Sequence, residues 1–123
     1  MIIIDSKIYA IDFDGTLCQS MYPGIGSAIQ KNIDFVKKLR EQGSKTILWT
    51  CRTDVILKEA VDWCKENGLE FDAVNENIQE SIDAYGGDTR KVYADFYIDD
   101  KNLAIADTLS ERKKALIEKM KRN

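Results

Sequence analysis

An α/β fold, with helices on both faces of a mainly parallel sheet, is predicted by three features of this 123-residue chain. Short apolar runs alternate with segments of helical periodicity. Polar, chemically loaded residues fall at the carboxyl ends of three separate runs, which is where ligands bind in open parallel sheets. Apolar residues make up 44% of the chain, enough for one core, and the length suits a single domain over residues 1–123.

Each element follows in order. Ile8 to Ile11 reads as a buried strand. Cys18 to Gly26 reads as a loop holding the only proline, Pro23. Ser27-x-x-Gln30 matches a capping box, and Ile29, Ile33, Val36 and Leu39 then recur at helical spacing until Gly43. Lys45 to Thr50 is apolar enough for a strand buried on both faces. Thr53 and Asp54 are candidate caps of a helix to Asn67, with Leu57, Ala60, Val61 and Cys64 inward. Phe71 to Val74 reads as a third strand. Ile78, Ile82 and Tyr85 predict a brief helix stopped by Gly86-Gly87. Val92 to Ile98 reads as a fourth strand, Leu103 to Ala106 as a short fifth, and Thr108-x-x-Glu111 opens a last helix to about Met120. Right-handed crossovers between such strands make the sheet parallel.

Composition narrows the chemistry. Histidine is absent, which excludes a His-dependent triad and a His-ligated zinc. Three cysteines, Cys18, Cys51 and Cys64, lack metal-ligand spacing. Their odd number, with no secretory start, predicts a reducing, cytoplasmic setting. A net charge of −3 argues against a protein that coats nucleic acid, and no apolar run approaches the roughly 20 residues of a membrane span. Six basic and two acidic residues from Glu111 to Asn123 read first as a solvated helix face. A nucleic-acid end is the weaker alternative.

Asp12 and Asp14 close the first strand one residue apart, and Gly15 lets the backbone reverse. Close like charges repel unless a cation or proton lies between them. Acid, spacer, acid and turn at a strand end is a way to build an Mg²⁺ site beside a carboxylate nucleophile. Asp99 and Asp100 close the fourth strand, and Thr50 the second.

Asp12-Phe13-Asp14-Gly15-Thr16-Leu17, then Leu48-Trp49-Thr50-Cys51-Arg52, then Lys91, then Tyr97-Ile98-Asp99-Asp100 resemble the four ordered motifs of the haloacid dehalogenase (HAD)-like superfamily. The resemblance runs from Ile8 to about Asn102. It implies a Rossmann-like, three-layer α/β/α domain and an Mg²⁺-dependent phosphomonoester hydrolase. Asp12 would be the nucleophile that becomes an aspartyl-phosphate, and Asp14 the general acid, then base. Asp12, Asp14 (through its carbonyl), Asp99 and Asp100 would hold Mg²⁺, with Asp100 the more direct of the last pair. Thr50, Cys51, Arg52, Lys91 and Gly15 would surround the substrate phosphate. Arg52 could equally pair with an acid, and the Cys51 thiol reads as packing. Lys91 lies unusually close ahead of the final acids, so Arg90 is its alternative.

Asp14 and the final acid pair point to the phosphatase side of the superfamily, since its dehalogenases lack an acid two residues after the nucleophile and use no metal. Neither Asp14–Thr50 nor Thr50–Lys91 is long enough for a cap domain. An open site results, or one closed only by the Cys18–Gly26 segment or by a second copy in a homo-oligomer. The partner is a phosphorylated substrate of unassigned identity. Competing functions are a catalytically idle Mg²⁺- and phosphate-binding module and a nucleic-acid end phosphatase. A phosphoreceiver domain has similar parts, but its phospho-accepting Asp sits on a middle strand ahead of the Thr, and the order here differs.

Overall fold

The computed structural model describes residues 7–102 and 117–121. Its elements are β1 (Ile8–Ile11), β2 (Cys18–Met21), β3 (Gly24–Ala28), α1 (Gln30–Glu41), β4 (Lys45–Leu48), α2 (Asp54–Glu66), β5 (Ala73–Val74), α3 (Gln79–Tyr85) and β6 (Phe96–Ile98). One sheet has the order β5-β4-β1-β6. Its neighbours pair in parallel, with Ile11 beside both Leu48 and Ile98. The α/β class and the parallel sheet are as the sequence predicts.

Alternation along the strands builds two cores. Ile11 and Leu48 face Ile33 and Val36 of α1 and Ala60 and Cys64 of α2. Ala10 and Ile47 face the other way, against Ala73, Ile78, Val92 and Ala94. The described residues therefore form three layers: α1 and α2, the sheet, and the 78–94 segment that contains α3. Trp63 packs on the first core and Trp49 on the second. Among the described residues no helix is long and apolar enough to cross a membrane.

Gly43 ends α1 as predicted. At φ +94° it lets the Ser44 N–H reach back to the Leu39 carbonyl at 3.1 Å and its own N–H reach Arg40 O at 3.0 Å, a Schellman closure.

The 18–26 segment is not a loop. β2 and β3 form an antiparallel hairpin, tied at its base by the Ile29 N–H to Leu17 O bond at 2.9 Å. Neither strand shows a clean apolar–polar alternation, because the hairpin stands mostly exposed, off the main sheet. It also displaces the predicted cap: Ser27 is in β3, and Ile29 precedes α1 without any side-chain cap. The last strand is shorter than predicted because β1 offers only four residues to pair with. At Asp95 the chain passes the start of β1, donating to Ile8 O at 2.8 Å. Val92 and Ala94 are buried beneath the sheet instead, held through the Tyr97 hydroxyl. The predicted Leu103–Ala106 strand and most of the last helix lie outside the described residues; 117–121 is helical.

Candidate active site

β1 and β6 end side by side, so their acids meet. The Asp12 N–H still bonds Ile98 O at 2.9 Å, and the chain then turns through Gly15 at φ +83°. A side chain at Gly15 would overlap the Asp100 carboxylate, so the turn and the last acid need a residue without Cβ. One carboxylate oxygen each from Asp12, Asp99 and Asp100 lies within 4.8 Å of the other two. These hard oxygen donors could hold a divalent cation. Asp14, by contrast, points its carboxylate elsewhere.

Burial pushes the Asp12 carboxyl up to about 6; the Asp99 charge adds to this, and Asp100 adds less. Thr16 opposes the shift: its hydroxyl donates to Asp12 Oδ2 at 3.1 Å and accepts from the Asp100 N–H at 3.1 Å. Thr16 is buried and fixes the first loop to the last.

Thr50 stands across the cleft, beyond β4. Its N–H bonds Asn75 Oδ1 at 2.7 Å, and its hydroxyl accepts from the Arg52 N–H at 3.2 Å. Among the described residues the hydroxyl proton has no acceptor. Asn75 takes φ +54°, a conformation asparagine tolerates better than most residues, and so braces the Thr50 turn from β5. Asp12, Asp14, Tyr22, Thr50, Cys51, Asp99, Asp100 and Lys101 line a cavity of about 320 Å³. Cys51 is exposed there, not packed as the sequence suggests.

Arg52 resolves the alternatives left by the sequence in favour of pairing with an acid. Its side chain is fully buried. Nε and Nη2 grip both Asp14 oxygens at 2.9 and 2.8 Å. The remaining N–H groups donate to Pro23 O, Gly24 O and Ile56 O at 3.0, 2.7 and 3.3 Å. The guanidinium lies 5.1 Å from the Phe13 ring centre and 5.3 Å from that of Tyr22. Every donor is engaged, so Arg52 has none left for a substrate phosphate.

Lys91 is not in the acidic cleft. It lines a separate cavity of about 570 Å³ with Asn77, Tyr85 and Tyr93, and Arg90 is exposed and lines neither. The segment is held there by buried Asn77, which bonds Asp88 at 2.7 Å and the Tyr93 N–H at 2.6 Å. Among the described residues the lysine that lines the acidic cleft is Lys101, whose Nζ lies 3.9 Å from Asp100 Oδ2.

No family model and no curated protein matches the chain. A solved structure does, that of a conserved protein from Bacteroides thetaiotaomicron, at 34% identity and a TM-score of 0.72. The match covers 88% of this chain and 93% of that one. The chain belongs to the family of that Bacteroides protein. With nearly all of the Bacteroides chain covered, the likeness within the family extends along the fold rather than resting on one motif.

In this family member, the positions gathered at the sheet edge from the predicted set are Asp12, Asp14, Gly15, Thr50, Cys51, Asp99 and Asp100. Sequence reasoning assigns no role to Thr16, Asn75 or Lys101. Thr16 and Lys101 adjoin the acids in sequence, but only the fold reveals which atoms they bridge. Asn102 donates to Tyr97 O at 2.9 Å.

Proposed function

We propose that the protein is a HAD-like, capless Mg²⁺-dependent phosphomonoester hydrolase. One observation carries this reading: Asp12 converges with Asp99 and Asp100 from the far end of the chain, while Thr50 lines the same cleft. Four carboxylates in that cleft are matched by Arg52 on Asp14 and by Lys101, so the triad has an excess of negative charge that a divalent cation would neutralise. The strand order β5-β4-β1-β6 also suits the resemblance, with the nucleophile strand in the middle. Between Asp14 and Thr50 the chain makes the hairpin, α1 and the sheet strand β4, which supports the absence of a cap.

Asp12, Asp99 and Asp100 would hold Mg²⁺, which when bound neutralises phosphoryl oxygens against an anionic nucleophile. Asp12 attacks phosphorus; the ester P–O bond breaks, and its electron pair leaves on the ester oxygen, which takes the proton carried by Asp14. Water then attacks the aspartyl-phosphate, its proton passes to Asp14, and the bond to Asp12 breaks to release phosphate. Both Asp14 oxygens accept from Arg52. Asp14 therefore works from a fixed position, with the second lone pair of each oxygen available for the proton. The Thr50 hydroxyl and Lys101 would meet the phosphate from the other sides.

The test is release of p-nitrophenol from p-nitrophenyl phosphate with Mg²⁺. Asp12→Asn is expected to lose about 10³-fold or more. Equal activity in the two proteins contradicts the proposal.

The position of Lys91 and the full engagement of Arg52 favour a second reading, an idle Mg²⁺- and phosphate-binding module. Tight Mg²⁺ binding with no phosphate released across a broad phosphoester panel, 5′- and 3′-phosphorylated oligonucleotides included, decides for it.

A further inference from the structure

The β2–β3 hairpin brings an aromatic ring to the acidic cleft. Tyr22 sits at its tip, is 58% exposed, and lines the same cavity as Asp12, Thr50 and Asp100. Exposed tyrosines on hairpin tips ordinarily swing freely. This one has a buried neighbour: the Arg52 guanidinium lies over its ring at 5.3 Å while donating to the carbonyls of the next two residues, Pro23 and Gly24. The same guanidinium grips Asp14 on the other side. One cation thus fixes the ring relative to the reacting carboxylates and covers part of it, leaving the rest open to the cleft.

We infer that Tyr22 is a stacking platform that selects phosphoesters whose leaving group carries a planar ring, phenyl or nucleobase, over alkyl phosphates. The inference rests on the proposed hydrolase reading for its kinetic arm alone. A flat π-face accepts either ring with little regard to substituents, and such stacking is sequence-tolerant. A ring held rigidly in advance loses little conformational freedom when the ligand arrives.

The kinetic arm compares p-nitrophenyl phosphate, adenosine monophosphate and glycerol phosphate, each with Mg²⁺, in the wild type, Tyr22→Ala and Tyr22→Phe. Tyr22→Ala is expected to raise KM for the ring-bearing esters about tenfold or more and to leave glycerol phosphate unchanged. Tyr22→Phe is expected to keep the wild-type KM. An equal rise for glycerol phosphate, or no rise for both ring-bearing esters, overturns the inference; a rise for only one of them identifies the ring. The binding arm needs no turnover. Titration of the Mg²⁺-loaded protein with phenyl phosphate or adenosine monophosphate should shift the Tyr22 ring-proton resonances, and glycerol phosphate should not. If the wild type hydrolyses nothing but the ring protons shift, the hydrolase reading fails and the platform stands. If they do not shift, the platform fails whatever the enzyme hydrolyses.

Discussion

At the scale of single residues, Asp12 carries the clearest physical consequence. Its carboxyl is pushed up to about 6 from an ordinary 3.8, chiefly by burial and then by Asp99. The native state therefore keeps a proton that the unfolded chain has released between about pH 4 and 6, so this group's contribution to stability falls as pH rises through that window. Mg²⁺ competes with that proton. Thermal stabilisation by Mg²⁺ should grow between about pH 5 and 7 and vanish in Asp12→Asn, which melting curves with and without Mg²⁺ will check. A shift that is flat with pH, or intact in Asp12→Asn, contradicts this. Gly15 offers a second test. Gly15→Ala forces a left-handed backbone onto a residue with Cβ, at about 1–2 kcal/mol, and drives the new methyl into Asp100. Calorimetry should find Mg²⁺ affinity lowered about tenfold, on the scale of that strain. Among lysines, Lys101→Ala should depress turnover more than Lys91→Ala, because only Lys101 lines the acidic cleft. The acids themselves were legible in the sequence, since paired charges at the end of an apolar strand add nothing to its packing. Lys91 was not, because its reach depends on where Asn77 anchors the 88–93 segment, a contact between distant side chains.

At the scale of elements, the hairpin and its clamp matter most. Arg52 ties the hairpin, the first acidic loop and α2 together through one buried guanidinium. Arg52→Ala would leave Asp14 partly buried and unpaired, at about 3 kcal/mol, the lower end for a broken buried pair because Asp14 keeps some exposure. Urea unfolding should show this as a lower midpoint. Arg52→Lys should recover little, since a point charge cannot make the fork; full recovery would mean that charge alone sustains the clamp. Helices were readable because Ile33, Val36, Ala60 and Cys64 recur with the period that buries one face. The hairpin was not, because it buries so little that no period-2 pattern was needed, and the clamp on its tip comes from Arg52, far along the chain.

At the scale of the whole molecule, the parallel sheet is what turns scattered residues into a site. β1 and β6 lie side by side although most of the described chain separates them, so acids remote in sequence end at one edge. That much followed from alternating strands and helices and from where the polar residues fell. The exact length of β6 did not, because it is limited by the four residues of β1. The central claim is that this edge gathers a cation and a phosphoryl group around Asp12. A crystal structure of the protein with magnesium and beryllofluoride tests it most directly. The account predicts beryllofluoride bonded to the Asp12 carboxylate, within reach of the Thr50 hydroxyl, and Mg²⁺ held by Asp12 and Asp100. An empty cleft, or either species bound away from Asp12, would contradict it.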